Sequence, residues 1–164
     1  MADLNQILKL GDPRLHQKCA PLEKGELDQA LEKARTMAEL IAAFRHQYGA
    51  GRAMAAPQIG YLKRLIVLNM ERPQLLINPV ITDKSNEMME LWDDCMSFPN
   101  LLVRVKRHQT CRIHYLDEKW QPQACFLEGS MSELLQHEYD HLDGILATQR
   151  AIDERSLALS GHLP

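Results

Sequence analysis

Residues 136–144 read Gln-His-Glu-Tyr-Asp-His-Leu-Asp-Gly. His137 and His141 stand four apart, so in a helix their imidazoles lie on one face, one above the other. Such a pair can aim two nitrogen donors at a single metal ion. Glu138 sits beside that face, placed to act on water without ligating the ion. A divalent ion lowers the pKa of water and a neighbouring carboxylate takes the proton, which is the chemistry hydrolysis needs. The bland alternative is one solvated turn of polar helix, so this spacing is a hypothesis that needs a third ligand.

One class of hydrolases with this histidine spacing adds a glycine three residues after the second histidine and a third histidine three further on. Gly144 is in place here, but the last position holds Ala147, which argues against an endopeptidase of that class. A second class uses a downstream glutamate, and only Glu154, in a short tail, is available. The third ligand is therefore expected upstream. Cys95 is the best placed by local sequence, because Asp93-Asp94-Cys95-Met96-Ser97 leads into a Phe98-Pro99 turn. A thiolate with two imidazoles suits Zn²⁺ or Fe²⁺ and leaves a fourth position open. Cys19, Cys111 and Cys125 read as small core residues, and no CxxC pair occurs. The stretch Gly49–Gly60 is rich in small residues, which let backbone approach a ligand closely, and Gln58 within it can donate to a developing oxyanion.

These residues need elements to carry them. Leu27, Leu31, Ala34, Met37, Ala38, Ile41 and Phe44 recur at three and four, so residues 26–47 are expected to form a helix closed by Gly49. Asp12 and Pro13 read as the cap and first position of a short helix within residues 10–19. Residues 64–70, 74–82, 101–108, 110–117 and 123–128 are rich in branched and aromatic side chains and read as strands, with a hairpin loop at 117–122. From Met131 the pattern turns helical again through Leu134, Leu135, Tyr139 and Leu142, and Gly144 ends it. Helix, antiparallel strands, then helix is an α+β order.

The 164 residues suit one domain, with 45% hydrophobic and 25% charged residues. A net charge of −3 gives no electrostatic case for nucleic acid or an anionic membrane. The longest apolar runs, such as Leu-Ile-Val-Leu-Asn at 65–69, are too short to span a bilayer. The start, MADLNQILKL, lacks the basic and apolar regions of a signal peptide, so a cytoplasmic location and reduced cysteines are expected.

Three segments together resemble the peptide deformylase family, which carries GxGLAAxQ, EGCLS and QHExDHLxG in that order. Here they read Gly51-Arg52-Ala53-Met54-Ala55-Ala56-Pro57-Gln58, Asp93-Asp94-Cys95-Met96-Ser97, and Gln136 through Gly144. Gly11-Asp12-Pro13-Arg14-Leu15 and Ile77-Asn78-Pro79 also look like the family, and the likeness runs from about residue 7 to about residue 150. The resemblance implies an α+β catalytic domain over 1–164, with antiparallel sheets around a metal-bearing C-terminal helix and an N-terminal helix. It implies that Cys95, His137 and His141 hold one divalent ion, Fe²⁺ in the cell and often Zn²⁺ or Ni²⁺ in preparations. Glu138 would be the general base and then the acid; Gln58 and the Met96 backbone N–H would hold the oxyanion; Gln136 and Asp140 would support the helix. The implied reaction is hydrolysis of an N-formyl group, by default on N-formylmethionyl peptides, releasing formate and a free amine. The partners implied are that substrate and, transiently, the ribosome surface, with the protein acting as a monomer.

The departures from the family pattern fall on the substrate side. Ala53 and Arg52 replace a glycine and an apolar residue, and Asp93-Asp94 replaces Glu-Gly. The family uses backbone in both places to hold the peptide like an added strand, so an alanine methyl and an aspartate side chain are expected to crowd that groove. Glu133 and Ser130 stand about one and two turns before His137, where the family is usually apolar and lines its methionine pocket. The substrate-binding set is thus Arg52, Ala53, Asp94, Ser130 and Glu133. Two alternatives follow: a deformylase of altered substrate, or a weakly catalytic binding or regulatory homologue.

Overall fold

A computed structural model describes residues 2–164. The long periodic stretch forms α1 (Leu27–Tyr48), buried through Ala34, Met37, Ala38, Ile41 and Phe44 as its spacing requires. Gly49 ends it in the left-handed region at φ 74°, where its N–H reaches the carbonyl of Arg45. The short helix after Asp12 is a 3-10 turn, Pro13–His16, with the Asp12 carboxylate accepting from the Arg14 N–H.

The strands are β1 (Ala53–Ala55), β2 (Leu65–Asn69), β3 (Pro73–Thr82), β4 (Met88–Asp93), β5 (Leu101–His108), β6 (Thr110–Leu116), β7 (Pro122–Glu128) and β8 (Leu157–Leu159). They make two sheets, ordered β1-β2-β3-β6-β7 and β4-β5-β8, and their pairings are antiparallel. The second helix, α2 (Gly129–Leu142), starts two residues before the expected position. The α+β order read from the sequence is the one observed. Three strands escaped that reading: β1 has only three residues, β4 reads Met-Met-Glu-Leu-Trp-Asp without a β-branched side chain, and β8 lies in the tail.

The larger sheet lies between the two helices. Along β2, Leu65 and Val67 pack with α1, whereas Ile66 and Leu68 pack with Leu134, Leu135 and Leu142 of α2. Period-two alternation normally separates core from solvent; here both faces are covered, so the strand reads as a continuous apolar run. In β3 the pairing with β6 shifts between Ile77 and Val80. Asn78 sits at that irregularity at φ 48°, and its side-chain amide exchanges hydrogen bonds with both backbone groups of Leu22, at 2.8 and 2.9 Å.

The N-terminal segment ties together the three stretches singled out above. The N–H of Leu8 donates to the Gln58 carbonyl at 2.7 Å, that of Leu10 to Ser97 at 2.8 Å, and that of Cys19 to Leu142 at 2.8 Å. Just beyond α2, Gly144 packs on the same segment. Its φ is +73°, and a Cβ there would lie 2.5 Å from the carbonyl oxygen of His16. No helix among the described residues is long and apolar enough to cross a membrane.

Gly144→Ala must therefore move backbone as well as occupy a left-handed conformation, which alone costs about 1–2 kcal/mol. The expected outcome is a fall in melting temperature of at least about 3 °C, read by circular dichroism on the metal-free protein. An unchanged melting temperature would show that the junction relaxes freely.

Candidate active site

β4 ends at Asp93, and the chain turns so that Cys95 is buried against Phe98, Val103 and Val105. α2 presents His137 and His141 one turn apart, both buried. The Cys95 sulfur and one nitrogen from each imidazole all lie within 4.8 Å of one another. His137 Nε2 and His141 Nε2 are 3.2 Å apart, and Cys95 Sγ is 3.4 Å from His141 Nε2. An ion holding these donors tetrahedrally at usual bond lengths would set N–N and S–N edges of about 3.3 and about 3.6 Å. The donor set and its spacing therefore fit a divalent ion of the Zn²⁺ or Fe²⁺ type.

What aims His137 is a buried carboxylate. Asp93 Oδ2 lies 2.8 Å from His137 Nδ1, and an ionised carboxylate can only accept, so Nδ1 carries the proton and Nε2 keeps its lone pair for the ion. Asp93 also accepts from Arg107 Nη2 at 3.0 Å. Burial opposes charge on Asp93, but His137 and Arg107 outweigh it and hold its carboxyl down at about 2. Arg107 donates through Nη1 to Asp140 Oδ2 at 2.6 Å, and Asp140 in turn takes both donors of Arg150, at 2.5 and 2.8 Å. Charges alternate along Asp93, Arg107, Asp140 and Arg150, so this largely buried chain sums to zero. Gln136 holds the neighbouring turn: its Oε1 accepts from the His108 N–H at 2.9 Å and its Nε2 donates to the His108 carbonyl at 2.9 Å. α2 is thereby fixed to β5 through polar groups at Gln136 and Asp140.

Gln58 comes in from the 3-10 turn Ala56–Ile59 after β1. The N–H of Ala55 donates to Gln58 Oε1 at 3.0 Å, which fixes which end of the amide points inward. Gln58 Nε2 lies 3.1 Å from Ser97 Oγ and 3.5 Å from Cys95 Sγ. Glu138 is 4% exposed, and its Oε2 has no hydrogen-bond partner among the described residues. Burial pushes its carboxyl up to about 7, with the charge of His137 pulling the other way.

A cavity of about 380 Å³ opens onto these groups. Gln58, Cys95, Met96, His137 and Glu138 line it, as do Arg52, Ala53 and Asp94. Of the residues expected to touch substrate, Asp94 is exposed at the cavity and Ala53 is buried in its wall. Asp93 is turned away, into the charge chain, so only Asp94 of that pair stands at the groove. Glu133 meets Arg52 across the wall, Oε1 to Nη2 at 2.7 Å, and burial raises its carboxyl above the usual range. Ser130 does not line the cavity; it is exposed, and its carbonyl oxygen lies 3.5 Å from Arg52 Nη1.

Arg107, Arg150 and Ser97 were not foreseen. Arg107 had a signal: it follows Val103 and Val105 at period two on the buried face of β5, where a charge must have a partner. Arg150 and Ser97 had none, since their roles depend on the three-dimensional neighbourhood.

The family model described as polypeptide deformylase matches residues 4–156. The peptide deformylase of Treponema pallidum (strain Nichols) is 38% identical over 148 residues, covering 89% of this chain and 86% of that protein. That of Thermotoga petrophila is 33% identical over 159 residues, covering 96% and 93%. The crystal structure of peptide deformylase from Thermotoga maritima superposes with a TM-score of 0.81 at 30% identity, over 90% of this chain and 97% of that one.

Two outcomes test the electrostatics. Asp93→Asn keeps the size but removes the charge behind His137, and it should weaken metal binding about 10–100-fold in chelator competition. Unchanged affinity would remove Asp93 from that role. The second concerns Glu138 in metal-free protein. Below pH 4.5 it is protonated folded or unfolded; between 4.5 and about 7 only the folded state keeps the proton, so rising pH removes stability. Above pH 7 the loss is of order 3 kcal/mol. Metal-free Glu138→Gln should therefore be more stable than wild type at pH 8 and no more stable at pH 4 by urea unfolding. A difference independent of pH would refute the raised carboxyl.

Proposed function

The chain belongs to the polypeptide deformylase family, and on that premise we propose how its own residues carry the reaction. It is a metal-dependent hydrolase that removes N-formyl groups from peptides, N-formylmethionyl peptides by default, releasing formate and a free amine. A divalent ion held by Cys95, His137 and His141 supplies Lewis acidity that acidifies water and polarises the formyl carbonyl. The resemblance favours Fe²⁺ in the cell, and the soft thiolate beside two imidazoles is compatible with that assignment.

Glu138 takes the proton of the attacking water and returns it to the leaving amine. A carboxyl titrating near 7 is suited to both tasks, since it is neither too weak a base nor too weak an acid at neutral pH. The inward amide of Gln58, held by Ala55 at its other end, and the backbone N–H of Met96 donate to the oxygen that gains charge. Asp93 keeps His137 in the tautomer that ligates, and the chain through Arg107 to Asp140 prevents Asp93 from relaxing toward water.

The single observation that carries this reading is the meeting of Cys95, His137 and His141 within 4.8 Å, with Glu138 and Gln58 lining the same cavity. Residues 1–164 act on this reading as one catalytic unit, a cytoplasmic monomer that meets the ribosome surface transiently as formylated chains emerge.

Glu138→Gln should retain the ion and lose about 10²–10⁴-fold in kcat on a formylated peptide. Formate release with anaerobically prepared protein, alongside metal content, checks both halves. A variant within tenfold of wild type would assign the base elsewhere, and wild type that binds metal but deformylates nothing would remove the activity itself.

A further inference from the structure

The cavity wall on the α2 side is charged. Arg52, just before β1, reaches Glu133 in the second turn of α2, Nη2 to Oε1 at 2.7 Å, with 81 residues of chain between them. The Arg52 side chain is 37% exposed and lines the cavity, while that of Glu133 is 13% exposed. Glu133 precedes His137 by four residues, so the pair stands roughly 6 Å along the helix from the first metal ligand. A formyl carbon between Glu138 and Gln58 is followed on the substrate by nitrogen, Cα and Cβ. The first side chain therefore begins about 4 Å from the reacting carbon, within reach of this wall.

What such a wall accepts follows from its chemistry. Closing it with an apolar side chain removes water from both ions and gives nothing in return. A side chain ending in a hydrogen-bond acceptor replaces that water. Arg52 has donors for it, because its five N–H groups have only Glu133 and, at 3.5 Å, the Ser130 carbonyl as partners among the described residues. We propose that the Arg52–Glu133 pair sets the first-residue preference of the site, selecting formylated peptides whose first side chain ends in a hydrogen-bond acceptor over those with an apolar side chain of equal length. This rests on the deformylase reading and concerns only which substrate that site prefers.

Formyl-Gln and formyl-Met peptides are the probes, since the two side chains are nearly the same length. For metal-loaded wild type, kcat/KM is expected to favour formyl-Gln by about tenfold or more, one hydrogen bond's worth of discrimination. Arg52→Leu with Glu133→Leu removes both charges together, so neither is left unpaired, and should reverse the preference. Should that double variant fail to fold, Arg52→Gln with Glu133→Gln keeps the shape and should bring the ratio toward one. A wild type that favours formyl-Met, or a ratio unmoved by the double substitution, overturns the proposal and leaves deformylation intact. No hydrolysis of either peptide by metal-loaded wild type overturns the deformylase reading, and this inference with it.

Discussion

A single buried carboxylate, Asp93, connects everything that makes the site. It stands at the end of β4, accepts from His137 of α2 and from Arg107 of β5, and immediately precedes the stretch that carries Cys95. Burying a carboxylate is unfavourable unless its lone pairs are satisfied and its charge is matched. Both conditions are met by groups from other elements, so the charge itself specifies how the smaller sheet and the metal helix sit against each other. The continuation through Asp140 to Arg150 brings the compensating charge out toward solvent, where Arg150 is partly exposed. Neutrality along the chain lets it lie beside a metal site without adding net charge to it.

The apolar part of the structure works on a different principle. The larger sheet is covered by α1 on one face and α2 on the other, and β2 feeds both cores by alternation. Such burial is strong but not directional. It brings α2 to the sheet without fixing its rotation to within the tolerance of a coordination site. Rotation is fixed by Gln136, which grips both backbone groups of His108, and by Asp140. Oil-like contacts set the distance, and polar contacts set the angle.

How much of this could be read from the sequence follows the same division. The histidine pair was legible because helical spacing is local, and α1 was legible because its apolar period is long. Cys95 required elimination of downstream ligands, since the thiol is separated from His137 by a hairpin and the start of α2. Gln58 stood out only through its small-residue setting. Arg52 and Glu133 each departed from the expected pattern, yet nothing local joined them: 81 residues separate the two, and pairing of that kind exists only in the folded chain. β4 was hidden because its methionines, glutamate and tryptophan lack a strand's usual composition, although it delivers the most connected acid in the molecule.

The donors of Leu8, Leu10 and Cys19 find their acceptors on Gln58, Ser97 and Leu142. In the order of synthesis, the first of these segments leaves the ribosome long before the last. Its amides must stay hydrated, or pair elsewhere, until residue 142 has emerged. Ligand assembly is accordingly a late event of biogenesis: the earliest-made strip of polypeptide is the last to be fastened, and a prematurely terminated product lacks the acceptor that fastens it.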